Sequence, residues 1–253
     1  MMRLYENISD ACNNHFLYVN QKLKDFTPIW ISPYGSMNYG TYNPQKSDTD
    51  TKIIILPSYQ TLLWEKPFVK EYSVSNGEIC AAMDIRHFTN SLLKQSINFI
   101  EVLFSEYAKN LNIDFLPIWT EYFLNNRELI AHYDEKACIH AACHQALHTL
   151  QQNAEYDGKK YANVLRLMDF MEKYSQQYPF PECMQVSSSL IDEIMTFKNG
   201  DEIPGYSKVR LARLRLMKVL EVKDDMFNFF PEAKEILCEG TEKLIKKNLE
   251  LTK

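Results

Sequence analysis

The stretch GSMNYGTYNPQKSDTDTKIIIL, residues 35–56, joins a loop of turn-forming residues to the clearest strand of the chain. The strand runs from Thr51 to Leu56, a β-branched and apolar segment that ends at Pro57. Asp48 and Asp50 come just before it. If the strand begins at or just before them, both carboxylates point to the same face, because side chains alternate along a strand.

This pair of carboxylates predicts a site for a divalent cation. Two carboxylates that lie close together repel each other unless a cation sits between them. Ligation by oxygen alone favours Mg²⁺ or Mn²⁺ over Zn²⁺. A third carboxylate, Asp84, stands inside another predicted strand, 78–85, which follows a predicted turn at Asn76-Gly77. If the two strands pair, Asp84 would meet Asp48 and Asp50, and three carboxylates are the minimum for a two-metal phosphoryl-transfer site.

Gly35 and Ser36 follow the end of a shorter predicted strand, 28–32. Glycine lets the backbone approach a phosphate closely, and the serine hydroxyl and nearby N–H groups can donate to its oxygens. The segment therefore predicts a phosphate held at one end and metal ions at the other.

The character of the sequence changes near residue 87. Before it, a predicted opening helix at 5–25 is followed by short β-rich runs; after it, apolar residues recur with the helical period. The predicted helices are 87–104, 117–131, 134–153, 159–175, 187–197, 207–220 and 231–250. This order indicates an α+β fold, with a small mixed β-sheet core and flanking helices in residues 1–108 and a mostly helical C-terminal domain in residues 109–253.

Composition limits the classes of partner. The net charge of −5 disfavours a protein that holds nucleic acid mainly by charge, although a local basic groove remains open. The densest basic segment, 208–218, is interpreted as a solvated helix face, with binding of an RNA end or a partner as the alternative. The lack of an apolar leader, of a long apolar stretch and of CxxC pairs predicts a cytoplasmic protein with reduced thiols and no membrane partner.

Taken together, Gly35-Ser36, Asp48-Thr49-Asp50 and Asp84 resemble the signature of the DNA polymerase β-like nucleotidyltransferase superfamily. A wider set of positions looks closest to the predicted nucleotidyltransferases of the RNA repair pathway family, which also occur in bacteriophages. These positions are Gly40-Thr41, Ser47, Lys52, Ile85, Asn98, Glu101, Phe104, Lys159, Asn163, Arg166 and Leu167. Asn163 stands where histidine is usual, so any role of that histidine is lost or changed.

The resemblance implies a nucleotidyltransferase core that moves a nucleoside monophosphate from an NTP to a hydroxyl and releases pyrophosphate. It implies that Asp48 and Asp50 bind Mg²⁺ (or Mn²⁺), and that Asp84 completes the metal site and acts as the base. It also implies that Gly35 and Ser36 hold the triphosphate.

Three basic residues, Lys52, Lys159 and Arg166, are further candidates for nucleotide binding. For Lys52 the alternative is an outward position opposite the buried face of its strand. For Lys159 and Arg166 the alternative is a basic edge on a helix.

Several alternatives stay open at this point. The acceptor could be an RNA or DNA end, a small molecule or a protein hydroxyl. The protein could instead be an antitoxin that transfers AMP to a partner protein, or a catalytically inactive module that binds nucleotide or RNA. His140, His144 and His148 share one helical stripe and could bind zinc, but no carboxylate is interleaved, which favours a partly buried helix face.

Overall fold

The computed structural model describes residues 2–23, 25–43, 46–74, 77–152, 154–222 and 226–252, with side chains from residue 10 onward. Asn76 of the predicted turn lies outside the described residues. Within these ranges the chain combines a mixed sheet with many helices, which confirms the predicted α+β class.

The described part of the chain contains a five-stranded sheet in the order β3-β4-β2-β1-β5. Its strands are β1 (Phe26–Pro33), β2 (Thr51–Pro57), β3 (Val69–Ser73), β4 (Ile79–Asp84) and β5 (Lys109–Asn110). β2 pairs with β1 antiparallel and with β4 parallel, and β3 pairs with β4 antiparallel. The strands predicted at 28–32, 51–56 and 78–85 are confirmed, whereas β3 and β5 have no counterpart in the prediction.

The central strand β2 is buried along its whole length. Ile53 and Ile55 pack on one face with Cys12 and Val19, while Ile54 and Leu56, on the other face, join the larger core. Each fully buried isoleucine stabilises the fold by about 1.5–3 kcal/mol, so the strand is a rigid base for the residues that precede it.

The helices surround this sheet and form most of the C-terminal half. They are α1 (Met2–Asn20), α2 (Tyr59–Trp64), α3 (Ile85–Leu93), α4 (Ile97–Ile100), α5 (Leu116–Trp119), α6 (Arg127–Ala131), α7 (Glu135–Gln151), α8 (Gly158–Ser175), α9 (Phe180–Met184), α10 (Ile191–Asn199), α11 (Gly205–Val219) and α12 (Glu232–Leu251). A π-helical segment, Thr120–Leu124, continues from α5.

The helix predicted at 87–104 is wrong as a single element, because the structure divides it into α3 and α4. The break lies at Gln95, which has a φ of +53°. Its buried side chain donates to the carbonyl oxygens of Leu92 and Ile130, both at 2.9 Å. These bonds hold a left-handed conformation that a non-glycine residue rarely adopts and that stops a helix.

One continuous cluster of buried apolar side chains joins the sheet to the C-terminal helices. It runs from Ile54 of β2 through Phe88 and Trp119 to Phe197 of α10. α12 returns to the sheet, where Asn248 donates to the carbonyl oxygen of Pro57 at 3.0 Å. The domain boundary after residue 108 stays a prediction; β5 extends the sheet just beyond it.

Two further features concern the cysteines and the membrane. The six cysteines are free thiols, and five of them are buried. Among the described residues, no helix has both the length and the apolar character that crossing a bilayer requires.

Candidate functional site

A cavity of about 490 Å³ lies between the loop that precedes β2 and the helices α7, α8 and α10. This volume falls in the usual range of small-molecule sites. Its lining residues are Tyr34, Gly35, Ser36, Tyr39, Thr41, Ser47, Asp48, Asp50, Thr149, Gln152, Asp157, Lys159, Lys160, Ala162, Asn163, Arg166, Ile194 and Lys198.

The cavity gathers six of the eight site residues that the sequence singled out, although they are spread over 130 positions of the chain. These are Gly35, Ser36, Asp48, Asp50, Lys159 and Arg166. Lys52 and Asp84 do not line it.

The predicted meeting of Asp84 with Asp48 and Asp50 is wrong. β4 runs parallel to β2, and Asp84 lies opposite Ile55, near the carboxyl end of β2. Asp48 and Asp50 precede the amino end. Five residues of strand separate the two ends, which is roughly 16 Å at the usual rise of about 3.3 Å per residue.

Asp84 has a structural role at its own end of the sheet. Its fully buried carboxylate caps α3 by accepting from the backbone N–H of Arg86 at 2.8 Å. It also accepts from the guanidinium of Arg86, with Nε at 3.0 Å and Nη2 at 2.5 Å. A carboxylate that caps a helix and pairs with arginine is already satisfied where it lies.

The parallel register instead brings the amino end of β4 beside the aspartate pair. The N–H of Ile79 donates to Asp50 Oδ1 at 2.8 Å, and the N–H of Thr49 donates to Glu78 Oε1 at 3.2 Å. Glu78 also contacts His15 Nε2 at 3.1 Å and lies behind the cavity wall. Glu78 begins the strand predicted at 78–85, so knowledge of the strand's direction would have identified it.

The environment of Asp50 suits a bound cation. Burial raises the pKa of its carboxyl above the ordinary value, and the neighbouring charges of Asp48 and Glu78 raise it further, against the hydrogen bond from Ile79. A divalent cation would relieve this unfavourable negative charge. Asp48 and Asp50 are therefore the residues that could hold Mg²⁺, which commonly binds one or two carboxylates together with substrate phosphates.

The C-terminal helices contribute four cations to the lining of the cavity, which we call the cationic wall. They are Lys159, Lys160 and Arg166 of α8 and Lys198 of α10. Asp157, just before α8, also lines the cavity and lies 3.5 Å from Lys160 Nζ. Burial and the neighbouring charge of Lys159 lower the pKa of Lys198 to about 8. Lys198 is not among the predicted site residues, because nothing in its local sequence marks it as one.

The end of α10 is tied to the loop between Gly35 and Asp48. The Nζ of Lys198 donates to the carbonyl oxygen of Thr41, and it lies 3.1 Å from Ser47 Oγ. Asn43 Nδ2 donates to Asn199 Oδ1 at 3.0 Å. These contacts hold the cationic wall against the loop that leads into the aspartate pair.

Arg166 is the most deeply placed of the cations, with only 6% of its surface exposed. Its Nε and Nη2 donate to Asn163 Oδ1 at 3.2 and 2.9 Å, and the guanidinium lies 3.9 Å from the centre of the Tyr39 ring. Its buried Nη1 has no hydrogen-bond partner in the described part of the chain. A buried guanidinium with an unused donor in a cavity suits an anionic ligand. Asn163 thus orients the guanidinium.

The buried carboxylate of Glu101 supports the loop at Gly35 and Ser36. Gly35 has a φ of +83°, a conformation that favours glycine. Glu101 Oε2 accepts from the N–H of Gly35 and from Asn38 Nδ2, both at 3.0 Å. The Nζ of Lys52 lies 3.9 Å from Glu101 Oε1 and 3.5 Å from the centre of the Tyr34 ring.

Lys52 therefore lies beneath the loop rather than in the cavity. The alternative of an outward position is wrong, because the side chain is buried; contact of Lys52 with the nucleotide stays a prediction. Burial lowers its pKa to about 8, while the charge of Glu101 acts in the opposite direction.

We expect Glu101→Gln to lower the free energy of unfolding by about 3 kcal/mol, because it leaves the buried Lys52 without its counter-charge. The double variant Lys52→Met/Glu101→Gln should recover most of that loss, since it removes both charges together. Urea denaturation of the two variants measures the difference. A double variant as unstable as Glu101→Gln would show that the ion pair does not stabilise the loop.

The histidine stripe of α7 is not gathered around one point in the structure. The His140 and His144 rings meet edge to face at 6.3 Å, and His148 Nδ1 lies 3.3 Å from Gln152 Nε2. Within the described ranges, no group of three or more His, Cys, Asp or Glu side chains is placed to bind a metal ion. The stripe is therefore interpreted as part of the packed helix surface.

Comparison with known proteins gives one similar structure. No protein-family model matches the chain, and no curated protein matches it. Among solved structures, the chain is similar to the crystal structure of a nucleotidyltransferase-like protein from Exiguobacterium sibiricum 255-15. The alignment covers 94% of this chain and 74% of that chain, with 8% sequence identity and a TM-score of 0.29.

Proposed function

We propose that the chain is a nucleotidyltransferase that uses Mg²⁺ (or Mn²⁺). It would move a nucleoside monophosphate from an NTP to a hydroxyl acceptor and release pyrophosphate. One observation carries the proposal: a single cavity is lined by Asp48 and Asp50, from the loop before β2, and by lysine and arginine side chains from α8 and α10. Such a cavity can hold a polyphosphate between metal-binding carboxylates and basic side chains.

The chain's own residues would act mainly by positioning. Arg166 would donate its free Nη1 to a phosphate oxygen, and Lys159 and Lys198 would balance the remaining negative charge. Gly35 and Ser36 line the cavity; because the N–H of Gly35 already donates to Glu101, the N–H and hydroxyl of Ser36 would be the groups that approach the phosphates. Asp48 and Asp50 would hold the divalent cation, which would supply positive charge to the transferred phosphoryl group.

Asp84 has no part in this arrangement because of its distance from the cavity and its pairing with Arg86. Because two carboxylates are fewer than the three that a two-metal site needs, the proposal places one divalent cation at Asp48 and Asp50. Phosphoryl transfer asks little covalent chemistry of the protein, and the basic residues of the cavity would supply the remaining charge stabilisation.

Release of pyrophosphate tests the proposal. The purified chain is incubated with each of the four NTPs, with Mg²⁺ or with a chelator, together with a mixture of RNA and small-molecule hydroxyl acceptors. We expect pyrophosphate from at least one NTP in Mg²⁺ and none with the chelator. Metal-dependent NTP binding by calorimetry, without pyrophosphate under any condition, would overturn the enzymatic assignment and favour the inactive binding module. A mass increase on a co-purified protein would favour AMP transfer to a partner.

A further inference from the structure

The helix α11 concentrates positive charge in a protein whose net charge is negative. Its sequence, GYSKVRLARLRLMKV, contains five lysines and arginines and no acidic residue, whereas the chain as a whole carries −5. Only Val209, Ala212 and Leu216 of this helix are buried. The basic residues therefore lie on a surface that the fold does not need for its core.

Part of this surface forms a second cleft that adjoins the cavity of the proposed site. The cleft has a volume of about 230 Å³ and lies between the end of α7 and the first half of α11. It is lined by Leu150, Gln151, Glu155, Tyr206, Val209, Arg210 and Arg213.

The two cavities share one wall. Thr149 and Gln152, at the end of α7, line the first cavity, while the residues between them, Leu150 and Gln151, line the cleft. The next turn repeats the pattern, with Glu155 in the cleft and Asp157 in the first cavity. The separation is thus about one helix diameter, roughly 10–12 Å, which a few nucleotides can span.

The two arginines of the cleft are exposed and available. Arg210 and Arg213 form no hydrogen bond or ion pair with any residue that the structure describes. Lys208 differs, because it lies 3.7 Å from Glu193 and 4.0 Å from Glu202.

Two exposed tyrosines belong to the segments that form or adjoin the cleft. Tyr206 lines the cleft and is 72% exposed. Tyr156, which follows Glu155 in a short helical turn that contacts α11, is 76% exposed. Among the described residues, Glu155 is the one carboxylate that lines the cleft, so its charge is positive overall.

We propose that this cleft binds a single-stranded nucleic acid whose end, placed in the first cavity, supplies the acceptor hydroxyl. The inference rests on the proposed function and names its acceptor. Arg210 and Arg213 would contact backbone phosphates, and Tyr156 and Tyr206 would stack on bases, the combination by which proteins hold single strands. An acidic protein segment would use the arginines but would give the two exposed rings no stacking partner.

Binding of a labelled RNA tests this inference. A 5′-labelled single-stranded RNA of about 12 nucleotides, within the usual site sizes, is titrated with the full chain and followed by fluorescence anisotropy at several salt concentrations. We expect Arg210→Gln/Arg213→Gln to weaken binding at least about tenfold and to reduce the slope of log K against log salt by about 1.4, for two phosphate contacts. Tyr156→Ala/Tyr206→Ala should weaken binding by a further factor of about ten or more.

A charge-matched control separates a specific cleft from general loss of charge. Lys234→Gln/Lys246→Gln removes two exposed charges from α12 and should bind the RNA like the native chain. Equal affinity of the α11 and α12 variants would overturn the proposal, and so would binding of an acidic peptide, but not of RNA, at the cleft. Thermal unfolding confirms that each variant is folded.

The failure of this inference can be distinguished from the failure of the proposed function. The α11 variants should bind NTP as the native chain does, because Arg210 and Arg213 lie outside the first cavity. NTP turnover without RNA binding would overturn only the assignment of nucleic acid as the acceptor. RNA binding with no NTP binding would overturn the nucleotidyltransferase assignment.

Discussion

Asp50→Asn should abolish nucleotide transfer and leave a fold at least as stable as the native one. The variant loses the charge that would bind the cation. We therefore expect kcat to fall by at least about 100-fold, which is the usual effect of removing one group that stabilises charge in a transition state. Its side-chain oxygen can still accept from the N–H of Ile79, so the local backbone is retained.

The stability argument follows from the raised pKa of Asp50. The pKa of Asp50 in the unfolded chain is near 3.8, and above that pH the folded chain holds the carboxyl proton of Asp50 more tightly than the unfolded chain does. The contribution of Asp50 to the free energy of unfolding therefore falls as pH rises through the raised pKa. At neutral pH the carboxylate therefore opposes folding. Asparagine removes that penalty, and the Tm of the variant at pH 7 should equal or exceed that of the native chain.

Pyrophosphate release and thermal unfolding, each with and without Mg²⁺, measure both effects. Mg²⁺ should raise the Tm of the native chain and not that of Asp50→Asn. Asp48→Asn should also lose the nucleotide-transfer activity. The matched control is Asp114→Asn, an exposed aspartate outside the cavity, which should keep both activity and the Mg²⁺ response. Unchanged turnover in Asp50→Asn would refute the assigned role.

Arg166→Gln should weaken NTP binding by about 10- to 100-fold. The guanidinium is buried against Tyr39, and its Nη1 is free to donate to a phosphate oxygen. A hydrogen bond between charged groups contributes about 1.5–3 kcal/mol, which corresponds to this range of affinity. Arg166→Lys keeps the charge but loses the planar guanidinium held by Asn163. Its affinity for NTP should therefore lie between that of the native chain and that of Arg166→Gln.

Calorimetric titration with a non-hydrolysable NTP measures these affinities without turnover. The matched control is Arg215→Gln, which removes an exposed guanidinium from α11 and should bind NTP as the native chain does. If Arg166→Gln and Arg215→Gln had the same affinity, the cationic wall would not be the phosphate site.

Much of the site could be predicted because its signals are local. Gly35, Asp48 and Asp50 lie in one short segment, where a turn residue and an alternating strand pattern are visible in the sequence itself. The β2 strand was predicted for the same reason, since its apolar run admits few other structures.

The rest depends on contacts between distant parts of the chain. Asp84 was misplaced because the sequence does not show the direction of β4 relative to β2, and the parallel pairing moves it to the far end. The edge strand β3 was missed because its residues, VKEYS, are mostly exposed and lack an apolar face. Lys198 enters the site only through the packing of α10 against the loop near Thr41.

The residues that line the cavity come from two distant parts of the chain, and this determines when the cavity can form. The aspartate pair lies before residue 51, while Lys159, Arg166 and Lys198 all lie beyond residue 158. A chain cut at the predicted boundary after residue 108 would keep both carboxylates and lose the whole cationic wall. The cavity therefore exists only when the C-terminal helices are docked against the loop before β2, and under the proposed function nucleotide binding would report that docking.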